Sequence, residues 1–561
     1  MNVGAEYYAA PKHLASVIDR LGYISGYPMR YIEPHFGFNP EALLWGVGAL
    51  IAFWLAYLYI SVNQHNTRAG EEHGSSRWGT AEDIKPFIDW DHPENNILMT
   101  ATERLYQTDP DYTRTPMYSR NAFTAVVGAA GTGKTRTVVI PNLMQANSSY
   151  VVTDTKSATR RATVKYFRSK GYVIKTLDFI TRENTDHFNV FHYIKNEDDI
   201  IEMVDVFMAN TSDDKKTGGD AFFDKAERLL FSALIDYLRL MIRKEDQSMA
   251  SVAKMVRLLE TTEDGPGVVS PLDVMFEEFA ERFPDAFGVK EYETYKVAPG
   301  KTSASMAISA GVRLAPFDVP SLARMTSDDT LDLDLVGDQK TIVYLVLPDQ
   351  TSTYNFLIGM TYQVLFSKLV ERADQVYGGH LPVPVLMVMD EFANTAKIPN
   401  FDARVNTVRS RGIGAMIFLQ NIPQIKQGYP KSWDSIMGAA DSFLFLGGND
   451  DVTAKYVSDR MGQETIEVLN TSTTRGAQGS FNTRYDKIAR PLMQPAEVSR
   501  MRGDESIYIL RGVQPFKSKR IVVEKLPTYK AFKAAQDAPD EPVVKQEKHK
   551  NTVEEFFGGD F

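Results

Sequence analysis

Eight residues, Gly128-Ala129-Ala130-Gly131-Thr132-Gly133-Lys134-Thr135, carry the glycine, lysine and hydroxyl spacing that cradles a nucleotide phosphate. The glycines open backbone conformations closed to other residues, so successive N–H groups can converge on phosphate oxygens. A helix starting at the same point adds partial positive charge. Lys134 is placed to reach the β and γ phosphates, and Thr135 to offer its hydroxyl to Mg²⁺. A second constellation lies downstream, where the apolar run Val385–Met389 ends in Asp390 and Glu391. A buried strand of this kind carries two carboxylates to the sheet edge where ligands bind. Asp390 would hold Mg²⁺ through its water shell, and Glu391 would polarise the water that attacks the γ-phosphate. The pair of motifs points to ATP and Mg²⁺ as cofactors and to hydrolysis as the reaction.

Hydrolysis also calls for a cation near the charge that develops on the transferred phosphoryl. Arg404, Arg409 and Arg411 precede Gly412. Arg409 or Arg411 is a candidate arginine finger reaching a neighbouring subunit's nucleotide, with structural arginines on a helix as the other reading. Gln420 ends the next strand, Ala415–Leu419, where its amide either senses the γ-phosphate or simply bonds a loop.

These groups need a frame. Phe123–Val127, before the glycine loop, is short, apolar and β-branched, a buried strand; Arg136 through Ile140 can continue as a helix until Pro141. Further strands are expected at Tyr150–Thr153, Tyr172–Lys175, Thr341–Leu347, Phe443–Leu446 and Ser506–Leu510. Apolar runs of this length suit strands covered on both faces, hence a parallel sheet flanked by helices. Between 192 and 318 apolar residues recur at helical spacing, as in Ala226, Leu229, Leu230, Ala233, Leu234 and Leu238, and strand signals fade. The fold class read from this pattern is α/β: a P-loop NTPase domain with a parallel sheet at 121–191 and 319–527, with an all-α domain inserted at 192–318.

Upstream, residues 43–62 carry no charge, and at about 1.5 Å per residue they span the hydrocarbon core of a bilayer. Trp45, Trp54, Tyr57 and Tyr59 suit its interfaces, and the change to polar residues at Asn63 argues against a buried core helix. This expected transmembrane helix starts too far into the chain for a cleaved signal peptide. Residues 1–42 read as a short non-core segment and 63–120 as a polar, turn-rich membrane-proximal linker. The tail, 528–561, reads as disordered and charged, ending in an acidic, aromatic Glu554–Phe561 that is either a solvated end or a partner-binding peptide.

Composition sets the outer bounds. The 561 residues leave room for several domains, and 43% apolar with 24% charged residues is ordinary for a globular chain. A net charge of −10 gives no whole-chain footprint for nucleic acid, though a local basic lining depends only on where charges sit. With no cysteine, disulfides, thiolate metal sites and cysteine nucleophiles are excluded. The nine histidines are scattered without ligand spacing.

With these motifs placed, the chain resembles the type IV secretion system coupling proteins, the membrane-bound conjugation ATPases of the TraG/TraD kind. The resemblance runs from about residue 73 to 525: His73–Thr80 just inside the membrane, the P-loop, Asp154-Thr155-Lys156-Ser157, and Phe222–Arg228 at the start of the helical insertion. It is strongest from Met389–Asn394 through Ile398–Phe401, Arg409–Gly412 and Leu419-Gln420, and ends with Pro491–Arg502. It implies a RecA-like motor assembled as a homo-hexamer around a channel, with a helical domain that docks substrate. It also implies single-stranded DNA and its relaxase, or effector proteins, as cargo, and secretion-channel subunits as partners. The anchor would lie in the cytoplasmic membrane as a single pass, with the ATPase domain in the cytoplasm. Among the site residues it favours Arg409 over Arg411 as the finger and Gln420 as the coupling residue. Two departures stand out: family members commonly have two membrane helices where one is found here, and Asp154–Ser157 lacks the family's proline and acidic residue. The expected function is delivery of DNA–protein substrates into a conjugation channel. The rivals are a DNA translocase of the cell-division type and a nucleotide-binding docking platform without turnover.

Overall fold

Side chains alternate along the central strands and so sort onto two separate cores. On β3 (Phe123–Val127), Phe123, Ala125 and Val127 enter one core and Val126 the other. On β7 (Val385–Met389), Val385, Met387 and Met389 divide in the same way from Leu386 and Val388. This period of two, with both faces apolar, is why these strands read as continuous hydrophobic runs.

The computed structural model describes residues 10–11, 16–25, 40–62, 68, 70–107, 116–212, 220–259, 269–297, 300–348, 352–474 and 480–539. The chain divides into two compact units, residues 76–464 with 489–561, and residues 1–75 with 465–488. In the larger unit β1 (Asn96–Leu98) pairs with β2 (Arg104–Tyr106) as a small hairpin. The main sheet adds β4 (Ser149–Asp154), β5 (Val173–Asp178), β6 (Thr341–Val346), β8 (Ile413–Leu419) and β9 (Ser442–Phe445) to β3 and β7. Its far edge is β12 (Glu505–Leu510) and β13 (Phe516–Lys519). The order is β13-β12-β9-β3-β8-β7-β4-β6-β5. The run from β9 to β5 is parallel throughout. The sheet is therefore RecA-like and α/β as expected, with one addition: β12 and β13 join it antiparallel.

One face is covered by the helical stretch. Helices Glu197–Thr211, Asp220–Met241, Met249–Val256, Pro271–Arg282, Phe287–Lys296 and Gly300–Leu314 follow one another, with no strand among the described residues of 192–318. Their apolar residues form one continuous core with the sheet, through helix Asn355–Gln375. The other face is covered partly by residues expected to be linker. Ile84, Phe87, Ile88, Ile97, Met99, Leu105 and Tyr106 are buried against Tyr150, Val152, Leu386 and Val388. Their apolar positions are too sparse to show a period, so the sequence hides a segment that is core from Ile84 onward. The tail differs too: Tyr529–Gln536 is a helix whose Phe532 is buried edge-on against Tyr166 at 5.4 Å. One aromatic in a charged stretch suffices to dock it. Residues 540–561 of the expected disordered tail lie outside the described residues.

In the smaller unit, helix Pro40–Val62 contains Leu44–Val62, 19 residues with a mean hydropathy of 1.7, long and apolar enough to cross a membrane. The two-stranded sheet of β10 (Gln463–Thr474) and β11 (Ser480–Pro491) gives this unit its hairpin. His73 and Gly74 donate their N–H groups to Thr465 Oγ1 at 3.0 and 3.2 Å, and Lys487 pairs with Glu72. The segment after the apolar helix is thus stitched to the hairpin.

Candidate nucleotide site

β3 delivers the glycine loop to the C-terminal edge of the parallel sheet. Gly131 and Gly133 have φ of +79° and +78°, the left-handed region that other residues reach only with strain. Thr132 turns the loop by donating both its N–H (3.2 Å) and its hydroxyl (2.8 Å) to the Ala129 carbonyl. Lys134 Nζ donates to the Gly128 carbonyl at 2.7 Å. The chain then winds as a π-helical turn over Thr135–Val139 and an α-helical turn over Ile140–Leu143. Pro141 does not end the helix, as the sequence suggested; it sits where the π-helical turn gives way to the α-helical one.

Two strands away, β7 ends at Met389, with Asp390 and Glu391 beyond it. Glu391 is left-handed (φ +48°), an uncommon conformation for a residue with a side chain and one associated with functional sites. Its N–H turns back to Asp390 Oδ1 at 3.0 Å. Burial pushes the Asp390 carboxyl up to about 6, and the adjacent Glu391 charge adds to the effect; Lys134 opposes it. Burial likewise pulls the Lys134 ammonium below its ordinary value, against the fields of Asp390 and Glu391. Lysine and both carboxylates therefore share one partly desolvated space. Gln420, at the end of β8, donates its side-chain amide to Glu391 Oε1 at 3.2 Å, while its backbone N–H is held by Gln424 Oε1 at 2.9 Å.

The donor set suits a phosphate-borne Mg²⁺. Among the described residues no cluster of His, Cys, Asp and Glu could hold a metal by itself. Mg²⁺ commonly takes one or two protein oxygens and completes its shell with phosphates and water. Thr135 and Asp390 can supply those two, and the raised Asp390 carboxyl marks a charge that a cation would stabilise. An ion held by these two residues would supply positive charge to offset that of the phosphates.

The arginines lie elsewhere. Arg409–Arg411 is a single helical turn before β8, at the opposite end from Leu419, which pairs with Val127 beside the P-loop. Six strand steps of about 3.3 Å place Arg409 roughly 20 Å from the loop of its own chain. Arg409 is exposed and donates to the Ser119 hydroxyl. Arg411 makes two bonds to Asp374, at 2.8 and 2.7 Å. The structure thus brings together the P-loop, Asp390, Glu391 and Gln420, and separates Arg409 from them.

Two groups at the site were given no role by the sequence. Asp154, at the end of β4, is level with Asp390 if the β4–β7 register is continued, and its charge helps raise that carboxyl. It also caps the next helix by accepting N–H bonds from Ala158 and Arg160 at 3.0 and 2.8 Å. The other is Arg520, whose side chain ends on the P-loop. A strand ending in Asp was a signal for the first; nothing local in the sequence marks the second.

A glycine loop and two adjacent carboxylates at the C-terminal edge of a RecA-like sheet define a P-loop nucleoside triphosphatase fold. The chain belongs to the family described as Type IV secretory system Conjugative DNA transfer, which matches residues 82–547. It is similar to the conjugal transfer protein TraG of Rhizobium radiobacter, 24% identical over 71% of this chain and 61% of that protein. The coupling protein VirD4 of Bartonella henselae is 21% identical over 93% of this chain and 83% of its own. Among solved structures, the bacterial conjugative coupling protein TrwB lacking 70 N-terminal residues superposes with a TM-score of 0.59 at 15% identity, covering 82% of this chain and 97% of that one. A TrwB complex with ADP and Mg²⁺ superposes with a TM-score of 0.53 at 16% identity, covering 75% of this chain and 91% of that one. The chain thus spans about three fifths of the length of the TraG relatives.

Proposed function

We propose that this protein is a membrane-anchored ATPase that couples hydrolysis to delivery of relaxase-bound single-stranded DNA, or of effector proteins, into a type IV secretion channel. One observation carries the reading: Lys134, Asp390, Glu391 and Gln420 converge on one partly desolvated edge. In this reading Lys134 and the loop from Gly128 to Thr135 bind the phosphates, and Thr135 and Asp390 hold Mg²⁺. Glu391 activates the attacking water, and Gln420, bonded to Glu391, reports the state of the γ-phosphate to β8. Arg409, at the other end of the sheet, serves the nucleotide of a neighbour in a homo-hexameric ring. The helical stretch 192–318 acts as the substrate-docking domain, and helix Pro40–Val62 crosses the cytoplasmic membrane once, with the ATPase in the cytoplasm. The bound strand is held by its phosphates, so its affinity falls steeply with salt.

The test is ATP hydrolysis by the full chain in detergent, with and without single-stranded DNA, beside Lys134→Ala and Glu391→Gln. Turnover that DNA raises and both substitutions remove is the expected result. Nucleotide binding without turnover under any condition would replace the motor with a docking platform.

A further inference from the structure

Arg520 follows β13 and reaches from the antiparallel edge of the sheet to the P-loop. Its Nη1 donates to the Thr132 carbonyl at 2.6 Å, its Nε to the Glu505 carbonyl at 2.9 Å, and its Nη2 to the Leu446 carbonyl. The guanidinium is half-buried, and its bonds end on main-chain carbonyls rather than carboxylates. Its own N–H is fixed to the Asp504 carbonyl at 2.9 Å, so the side chain starts from a set point.

We propose that Arg520 is a positioning residue for the nucleotide: it presets the P-loop so that the loop's N–H groups face the phosphates. The proposal rests on the nucleotide-binding part of the reading above. Its physical basis is the peptide between Thr132 and Gly133. A trans peptide points its C=O and N–H in opposite directions. With the Thr132 carbonyl held outward by Arg520, the Gly133 N–H is turned into the loop. Gly133, left-handed at φ +78°, is the residue about which this peptide would otherwise rotate most freely. A cation bonded only to carbonyls keeps its positive potential, which favours an anion on the other side of the loop. The same C-terminal segment grips the far side of the motif: Glu524 pairs with Arg136, the residue after Thr135, at 2.5 Å. Ala129, near the motif's start, donates its N–H to the Gly447 carbonyl at 3.0 Å, beside the Leu446 carbonyl that Arg520 holds.

The experiment titrates fluorescent ADP with Mg²⁺ into the full chain in detergent, for wild type, Arg520→Gln, Arg520→Lys and the neighbouring surface control Lys519→Gln. Thermal unfolding without nucleotide is recorded for each. Arg520→Gln should weaken binding about tenfold or more, by analogy with other groups that orient a binding partner. Arg520→Lys, which keeps the charge and loses the forked geometry, should fall between, and Lys519→Gln should bind as wild type. A role confined to stability would lower the unfolding temperature and leave the dissociation constant of the folded protein unchanged. That outcome overturns the proposal. Should Arg520→Gln not fold, Arg520→Lys decides: unchanged affinity rejects the positioning role, weakened affinity supports it. A wild type that binds ADP without hydrolysing ATP removes the motor reading and leaves this one standing. A wild type that binds no nucleotide rejects both.

Discussion

At the edge where β3 and β7 end, Lys134 and Arg520 donate to main-chain carbonyls, and Asp390 is half-buried beside a second carboxylate. At the edge where β8 and β9 begin, Arg411 closes on Asp374 and Arg511 on Asp441, which also accepts the Asn121 N–H at 2.7 Å. The same sheet thus handles charge in two ways. Opposite charges in contact cancel each other's field and hold the structure. Charges held by neutral groups keep their field, at a cost in desolvation, and a site for a charged ligand needs that. Two groups at the paired edge break the pattern: Arg120 is buried and donates to the Met117, Ser119 and Arg511 carbonyls, and Arg409 bonds a hydroxyl. Arg409 is exposed and bonds no carboxylate among the described residues, which suits a group that acts on a neighbour.

The largest effect should come from that exception. Arg409→Ala should lower turnover on the order of 10³-fold while leaving nucleotide affinity close to wild type, as for arginine fingers supplied by a partner. Mixing it with Lys134→Ala protein provides the sharper readout. Each variant alone is inactive, but a mixed ring juxtaposes an intact P-loop and an intact Arg409, so partial activity should return. A mixture that stays inactive would return Arg409 to the structural edge. Glu391→Gln follows, with an expected loss of about 10²- to 10³-fold in turnover and nucleotide still bound, because it would remove the proposed base and keep the fold.

Asp390 tests what the desolvated edge costs. A carboxyl raised from 3.8 to about 6 binds its proton more tightly in the fold than in the unfolded chain. Its contribution favours the fold at low pH and is lost as pH rises through about 6. At neutral pH the charged form destabilises the nucleotide-free protein by about 3 kcal/mol. Asp390→Asn should therefore stabilise the protein against denaturant by up to that amount and abolish Mg²⁺-dependent turnover. In wild type, turnover should rise through about pH 6 and the acid limb should move lower at saturating Mg²⁺, since the cation opposes protonation. An acid limb that does not move between limiting and saturating Mg²⁺ would mean Asp390 is not the metal-binding acid.

How much of this was legible depended on whether the signal was local. β3 and β7 match their expected spans residue for residue, because a strand covered on both faces is a continuous apolar run. The P-loop and Asp390-Glu391 were equally plain, since their chemistry is fixed by adjacent residues. Contacts between distant segments were not. Gln420 reaches Glu391 across 29 positions and Arg520 reaches Thr132 across 388, and neither bond leaves a periodic trace. Residues 84–106 were hidden for a related reason: their few apolar side chains dock on a face already formed by other strands. The antiparallel register of β12 is invisible as well, because direction is set by the pairing partner.

The smallest effects belong to the paired edge, and they discriminate best between neighbours. Asp441→Asn should cost about 1–3 kcal/mol, since it weakens both the Asn121 N–H bond and the Arg511 pair at a buried position. Arg411→Ala should cost about 0.5–1 kcal/mol, because its partner Asp374 is well exposed and water screens the pair. Neither should change turnover per folded molecule. Arg409 and Arg411 are two residues apart on the same turn, so composition and spacing treat them alike. Their partners do not: a carboxylate holds one in two bonds, and a single hydroxyl holds the other. If Arg411→Ala removes turnover while Arg409→Ala spares it, the two edges have been assigned the wrong way round at this turn. A finger would then have to leave a two-point ion pair in every cycle, and the stronger Asp374 pairing would become part of the motor's switching rather than its scaffold.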